Sequence, residues 1–224
     1  MPRGWIFFDI DGTLLHAHRV GREAFPIAFY HAFGWEQGVE HINFFGATDL
    51  GVLRRVAAER CEILTPEMER KFFNCLAPAV EERLAQHAPE VFVNVKPLLQ
   101  TLVADWNLGI ITGNILPTAR SKLKYAGLLE FFDKRGFGCG SYEDRAEIAR
   151  CVLARIGNPA RCILIGDTPN DIFAAKKNNM SAVAVAAGGF DAPALHAAGA
   201  DLVLNDFSNA APLFELLEHI WFKR

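Results

Sequence analysis

Short apolar runs recur along the chain, and each of them ends at a polar or glycine-rich turn. Runs this short, and this rich in Ile, Val and Leu, are typical of strands that are buried on both faces of a sheet. The five runs are Trp5–Phe8, Leu108–Ile111, Cys162–Ile165, Ala182–Val185 and Leu202–Leu204. The pattern therefore predicts a sheet whose two faces are both covered.

Longer amphipathic segments separate these apolar runs. They are Leu98–Asp105, Pro117–Tyr125, Arg145–Ile156, Pro169–Asn178 and Ala210–Trp221. Strands that alternate with helices of this length indicate βαβ units and a parallel sheet. We therefore expect a three-layer, Rossmann-like α/β core with a mostly parallel sheet.

Residues 16–92 interrupt this alternation, because they have a helical pattern almost throughout. The predicted helices are Val20–Phe33, Asp49–Cys61 and Pro66–His87. A helical block inserted after the first strand is typical of a separate small domain. We therefore expect a core built from residues 1–15 and 93–224 and an inserted helical cap at residues 16–92.

Composition excludes several classes of protein. Of the 224 residues, 51% are hydrophobic, which is enough for a sizeable core and too many for a disordered chain. The net charge of -3 is spread along the chain, so no nucleic-acid partner is expected. No apolar stretch approaches the roughly 20 residues of a membrane helix, so no membrane partner is expected either. Five cysteines without a C-x-x-C pair favour reduced thiols and a cytoplasmic location.

The strongest candidate for chemistry is Asp9-Ile10-Asp11-Gly12-Thr13, directly after the first predicted strand. Open α/β sheets bind their ligands at the carboxyl ends of strands. Two carboxylates there are costly without partners, and Gly12 permits a turn that brings both to one site. Magnesium prefers such oxygen ligands. The alternative is an Asp-Gly turn between two strands, but no strand-like run follows closely.

Two further motifs follow later strands. In Thr112-Gly113-Asn114, a hydroxyl and backbone N–H groups could hold phosphoryl oxygens, although the same residues also suit an ordinary turn. The stretch from Gly166 to Asp171 carries two more aspartates, Asp167 and Asp171, which could instead belong to a helix cap.

Together these motifs resemble those of the haloacid dehalogenase superfamily, and the resemblance covers nearly the whole chain. It implies that Asp9 is the nucleophile and forms an aspartyl-phosphate. It also implies that Asp11 protonates the leaving oxygen and then activates the hydrolytic water. Dehalogenases of the superfamily lack the equivalent of Asp11, so its presence favours phosphate esters as substrates.

The resemblance further implies a magnesium cofactor and a phosphate-binding loop. The implied metal ligands are Asp9, Asp11 and Asp167, while Asp171 would accept hydrogen bonds behind them or bind the metal through water. The phosphoryl group would be held at the end of the second strand, by Thr112, Gly113 and Asn114.

A third motif of the superfamily usually supplies a lysine before a proline, but no Lys-Pro pair lies between Gly136 and Gly166. Residues 137–145 are instead similar to a phosphoglycolate-phosphatase-like branch in which an arginine takes this role. We therefore expect Arg145 to be the catalytic cation. Lys122 and Lys124 remain as alternatives.

The insert resembles a cap that covers the site and supplies specificity. His16 and Arg22 are the expected substrate contacts, with His18 and Arg19 beside them. The expected activity is magnesium-dependent hydrolysis of a small phosphorylated metabolite, with phosphoglycolate as the first candidate. One alternative is a sugar-phosphate mutase of the same superfamily, and another is a regulatory protein that binds a phosphometabolite without catalysis. The natural substrate, oligomeric state and pathway stay open.

Overall fold

The computed structural model describes residues 2–36, 38–140 and 142–222, and its strands form two sheets. The strands are β1 (Trp5–Phe8), β2 (Leu15–His16), β3 (Glu90–Val91), β4 (Asn107–Ile111), β5 (Phe137–Gly138), β6 (Cys162–Gly166), β7 (Ser181–Val185) and β8 (Leu202–Leu204). The larger sheet has six parallel strands in the order β5-β4-β1-β6-β7-β8. The five strands predicted from apolar runs are confirmed. Three two-residue strands are additional: β5 in the larger sheet, and β2 and β3, which form the smaller sheet.

Helices cover both faces of the larger sheet and also form the insert. The helices are α1 (Val20–Phe33), α2 (Asp49–Glu59), α3 (Pro66–Gln86), α4 (Val95–Leu102), α5 (Leu116–Tyr125), α6 (Arg145–Arg155), α7 (Pro169–Lys177), α8 (Ala192–Ala197) and α9 (Ala211–Phe222). Helix α4 begins three residues before the predicted start, because Asn94 adopts a left-handed conformation and Pro97 is tolerated in the first turn. None of the helices in the described ranges combines the length and apolar character that a bilayer crossing requires.

Strand β1 lies in the middle of the sheet and contributes side chains to both faces. Ile6 and Phe8 belong to a core that includes residues of α4, α5 and α9. Trp5 and Phe7 belong to a second core that includes residues of α6, α7 and α8. Successive strand residues point to opposite faces, so a four-residue apolar run joins both cores. The predicted three-layer α/β architecture is therefore confirmed.

The inserted helices α1, α2 and α3 have a hydrophobic core of their own, which includes the buried rings of Phe25, Phe29 and Phe72. The centroids of the Phe29 and Phe72 rings are 4.6 Å apart. Strands β2 and β3 pair antiparallel at the two ends of the insert, so the chain leaves and re-enters the core side by side. The helical insertion is confirmed, while its division from the core at residues 16 and 92 stays a prediction.

Candidate active site

The carboxyl ends of three adjacent strands bring the predicted motifs together. Asp9 follows β1, Thr112 follows β4, and Asp167 follows β6. All three residues line one cavity of about 610 Å³. Residues 16–22, which lead into α1, and residues 44–47 and 49 of the insert also line this cavity, so it lies between the core and the insert.

Three buried carboxylates meet in this region. Oxygen atoms of Asp9, Asp167 and Asp171 all lie within 4.8 Å of one another. Burial raises the pKa of Asp9 to about 6; Arg145 opposes this increase and Asp171 adds to it. Burial also raises the pKa of Asp167 well above its usual range, and the charges of Asp171 and Asp9 raise it further. A bound cation would relieve this mutual repulsion.

The hydrogen bonds of these carboxylates indicate which oxygens are available to a ligand. Asp9 Oδ1 is buried and has no hydrogen-bond partner within the described part of the chain. Asp171 is different, because its Oδ1 accepts from Arg145 and its Oδ2 accepts from the backbone N–H and hydroxyl of Thr168 at 3.0 and 2.7 Å. The unpartnered oxygen of Asp9 is suited to contact a metal ion or a phosphoryl group. Both oxygens of Asp171 already accept hydrogen bonds from protein groups.

Asp167 is held in position by small neighbours and one hydroxyl. Thr13 Oγ1 donates a hydrogen bond to Asp167 Oδ1 at 3.0 Å. A Cβ atom at Gly12 or Gly188 would lie 2.3 or 1.9 Å from Asp167 Oδ2. Gly12 also has a φ of +82°, a left-handed conformation that favours glycine. Both glycines therefore leave the room that this carboxylate needs at the cavity.

Arg145, predicted from the third motif, begins helix α6 and lies against the carboxylate cluster. Its side chain is only 5% exposed, and its Nη1 is 3.0 Å from Asp9 Oδ2 and also bonds to Asp171 Oδ1. Burial lowers the pKa of Arg145, but the charges of Asp171 and Asp9 raise it by more, so the guanidinium stays charged. One buried cation therefore serves two carboxylates.

Asp11 lies apart from the three-carboxylate group, and its partners come from another element. Lys122 Nζ is 2.6 Å from Asp11 Oδ2, and Asn114 Nδ2 donates to the same oxygen at 2.8 Å. Lys122 also donates to Asn114 Oδ1 at 2.7 Å, while Asn114 Nδ2 bonds to Thr112 Oγ1 at 2.9 Å. The residues brought together here are thus the expected acid–base aspartate, the phosphate-loop motif and a buried lysine.

Sequence reasoning favoured Arg145 and left Lys122 and Lys124 as weaker alternatives without distinguishing between them, but the structure separates the two lysines. Lys122 is buried, whereas Lys124 is exposed. The sequence did contain a pattern that distinguishes Lys122, because Lys122 shares the buried face of α5 with Thr118, Ala119 and Leu123. A charged residue at the apolar spacing of a helix needs a buried partner.

The cap loop contacts the core directly, and sequence reasoning missed this contact. Asp49 Oδ2 accepts a hydrogen bond from the backbone N–H of Ile115 at 2.7 Å, and Asp49 N donates to Gly113 O at 2.8 Å. A Cβ atom at Gly113 would lie 2.1 Å from Ala47 O. Asn170 Nδ2 also donates to Gly46 O at 3.0 Å. The phosphate-loop motif is therefore covered by the cap, and glycine at position 113 allows that close approach.

The four expected specificity residues, His16, His18, Arg19 and Arg22, all line the same cavity. His16 Nδ1 and His18 Nδ1 are 3.3 Å apart. The guanidinium of Arg22 donates to Ile42 O at 2.9 Å and to Glu40 O at 3.3 Å, and it lies over the Phe44 ring. The guanidinium of Arg22 therefore stabilises the segment that carries Phe44 in the cavity wall. Contacts between these four residues and a substrate stay predictions.

The fold and the site together define a hydrolase in which a parallel α/β core carries buried carboxylates beneath a helical insert. The family model "haloacid dehalogenase-like hydrolase" matches residues 5–179, and the chain belongs to this family. Its activity is of the phosphatase type.

Individual relatives agree with this placement. The chain is 25% identical over 189 residues to pyrophosphatase PpaX of Bacillus velezensis, covering 81% of this chain and 82% of that protein. A hydrolase from Pseudomonas syringae is 26% identical, with a TM-score of 0.67 and coverage of 96% and 98%. CbbY from Rhodobacter sphaeroides in complex with phosphate is 20% identical, with a TM-score of 0.74 and coverage of 94% and 97%; it supports the fold alone.

Asp9→Asn is expected to stabilise the metal-free protein at high pH. An acid whose pKa is higher in the folded state than in the unfolded state stabilises the fold at pH values below its unfolded-state pKa. That stabilisation is lost as the pH rises through the folded-state pKa. For Asp9 this loss falls between about pH 4 and pH 6. Asparagine cannot ionise. In chelator at pH 8, the free energy of unfolding of the variant should therefore be about 1–3 kcal/mol higher than that of the wild type.

This stability prediction is measured by denaturant unfolding at pH 8 and pH 4.5, and the difference should shrink at the lower pH. Asp105→Asn is a suitable control, because Asp105 is an exposed carboxylate whose ion pair within the described residues is to the half-buried Arg3. A variant that is less stable than the wild type at pH 8 would show that the ionised carboxylate is stabilising.

Proposed function

We propose that this protein is a magnesium-dependent phosphatase that hydrolyses a small phosphate monoester through an aspartyl-phosphate on Asp9. The observation that carries the proposal is the arrangement of the two Asp9 oxygens. Oδ2 lies 3.0 Å from Arg145, while Oδ1 is buried without a partner in the described chain and is available for attack. A carboxylate held on one side and free on the other is suited to nucleophilic catalysis.

The proposed reaction has two displacements. Asp9 Oδ1 attacks phosphorus, the bond to the leaving oxygen breaks, and that oxygen takes a proton from Asp11. Asp11 then accepts a proton from water, whose oxygen attacks the aspartyl-phosphate and releases phosphate together with the free Asp9 carboxylate. Asp11 serves in both steps because it gives a proton in the first and regains one in the second.

The surrounding residues balance charge and bind the phosphoryl group. Asp9 and Asp167 would hold magnesium with their carboxylates, with Asp171 behind them, and the bound ion would supply charge neutralisation at the phosphoryl oxygens. Asp11 was the third expected ligand, but its side chain lies apart from this group, and we assign its carboxylate to proton transfer instead. The raised pKa values of Asp9 and Asp167, which burial and the neighbouring carboxylates cause, support this assignment. Thr112, Gly113 and Asn114 would bind the phosphoryl oxygens.

The proposed substrate is a small phosphorylated metabolite, and phosphoglycolate is the first to test. His16, His18 and Arg19 line the cavity just before α1, where they could meet a carboxylate or a second phosphate of the substrate. The panel should therefore include phosphoglycolate, sugar phosphates and pyrophosphate. Sustained phosphate release from one monoester would exclude a mutase that returns the group, and any turnover would exclude a purely regulatory protein.

Removal of metal is expected to stop turnover of p-nitrophenyl phosphate, and magnesium is expected to restore it. Calcium should fail to restore it, because its looser coordination would disturb the in-line attack. Asp167→Asn should raise the magnesium concentration needed for half-maximal activity by at least about tenfold. Asp105→Asn is the control and should leave that concentration unchanged. Full activity in excess chelator would contradict the metal-dependent mechanism.

A further inference from the structure

The site contains two buried cationic side chains, and each of them pairs with a different catalytic aspartate. Arg145 contacts Asp9, which is the proposed nucleophile, and Lys122 contacts Asp11, which is the proposed proton donor. The side chains of both cations are 5% exposed, whereas the side chain of Asp11 is 40% exposed. Arg145 pairs with Asp9 and Asp171, whereas Lys122 pairs with Asp11, so the role of Lys122 needs a separate explanation.

The contacts of Lys122 fix one oxygen of Asp11 and leave the other available. Oδ2 accepts from Lys122 Nζ at 2.6 Å and from Asn114 Nδ2 at 2.8 Å. Within residues 2–36, 38–140 and 142–222, Oδ1 of Asp11 accepts no hydrogen bond. Lys122 also bonds to Asn114 Oδ1, so the three side chains form a closed triangle. Such a triangle restrains rotation of the carboxylate.

The position of Lys122 depends on both the core and the cap. Helix α5 carries the lysine, and Asp49 of the cap bonds to the N–H of Ile115 immediately before that helix. A Cβ atom at Gly21 of α1 would lie 4.0 Å from Lys122 Nζ, so the cap closes over the ammonium group. The lysine is thus held from two sides and shielded from solvent.

We propose that Lys122 is a positioning residue that holds the proton-transfer group Asp11 through its Oδ2, so that Oδ1 carries the proton to and from the reaction. This inference rests on the proposed function. In the first step the proton leaves Asp11 for the leaving oxygen, and the ammonium stabilises the carboxylate that remains. In the second step the same carboxylate takes a proton from water. Lys122 itself gains and loses no proton.

A positioning role predicts that the effect of Lys122 depends on the leaving group. p-Nitrophenyl phosphate releases a stable phenolate that needs little protonation, whereas phenyl phosphate has the same ring and a much more basic leaving oxygen. Lys122→Met should lower kcat/KM for phenyl phosphate by at least about thirtyfold, somewhat less than the roughly hundredfold or more that the general acid itself contributes. It should lower kcat/KM for p-nitrophenyl phosphate by less than about threefold.

Matched variants separate positioning from a structural role. Lys124→Met removes an exposed lysine from the same helix and should leave both substrates unchanged within about twofold. Asp11→Asn should show the same leaving-group dependence, and the double variant should lose no more than Asp11→Asn alone, since the two residues act as a unit. If thermal unfolding shows that Lys122→Met does not fold, Lys122→Gln takes its place in every comparison.

The possible outcomes distinguish this inference from the proposed function. Equal losses on both substrates, or no loss on either, would overturn the positioning role of Lys122 while Asp11→Asn still behaves as a proton-transfer variant. If Asp11→Asn itself shows no dependence on the leaving group, then the proposed role of Asp11 fails, and the inference about Lys122 fails with it.

Discussion

Asp9→Asn is expected to abolish turnover while leaving the fold intact. The amide has nearly the same size as the carboxylate, but it is a very poor nucleophile. Asp9 is buried at the end of β1, where its backbone N–H bonds to Ile165 O at 2.9 Å, and this bond does not depend on the side chain. Activity should fall below about 1% of the wild-type value, the usual scale for loss of a nucleophile.

Phosphate release with saturating magnesium measures this loss, and circular dichroism checks the fold. Asp105→Asn should keep wild-type activity, because it makes the same chemical change at an exposed carboxylate. Acid quenching of wild-type turnover should also trap a phosphoryl group on Asp9, detectable by peptide mass spectrometry, and none on the variant. Residual activity well above 1%, or a trapped group on another residue, would contradict covalent catalysis by Asp9.

The framework of this site could be predicted from sequence because it depends on local patterns. An apolar run that ends in Asp9, Thr112 or Asp167 predicts a buried strand and places that residue at its carboxyl end. The carboxyl ends of adjacent parallel strands meet at one edge of a sheet. The convergence of the three motifs therefore follows from strand order, and the structure has that order.

Features that depend on tertiary contacts could not be predicted in this way. Strand β5 has only two residues, Phe137 and Gly138, and exists because these pair with Ile110 and Ile111 of β4. Asp49 was recognised only as the first residue of a cap helix. Its side chain instead bonds to the N–H of Ile115, which precedes a helix of the core. Because the side chain that bonds to this helix N-terminus lies 66 positions away, no local sequence pattern predicts the bond.

The two cations of the site show what the sequence predicts and what depends on tertiary contacts. Arg145 was predicted from the family resemblance of its surrounding motif, and the structure places it beside Asp9. Lys122 was no more than an alternative, because its partner Asp11 is 111 positions away in the chain. Its position on the buried face of α5 was readable, but which carboxylate it would meet was not.

Removing the guanidinium of Arg145 is expected to lower kcat/KM by at least about a hundredfold. Asp9 and Asp171 are both buried beside this group, and the phosphoryl group of the substrate brings further negative charge. Without the guanidinium, the nucleophile would repel the phosphoryl group that it must approach. The change also leaves two buried carboxylates without a cation, which costs about 3–5 kcal/mol of stability, so activity is measured well below the unfolding temperature of the variant.

Arg145→Lys should recover part of this loss, because a charge is restored but the rigid fork of the guanidinium is not. Arg150→Ala is the matched control: Arg150 lies on the same helix, is exposed and pairs only with its neighbour Glu147 among the ion pairs of the described chain. It should change kcat/KM by less than about twofold. A mild effect of Arg145→Ala, together with a severe loss on both aryl phosphates in Lys122→Met, would instead assign charge balance at the phosphoryl group to Lys122. In that case the ammonium would act on the phosphoryl oxygens, and the division of roles between the two cations would be reversed.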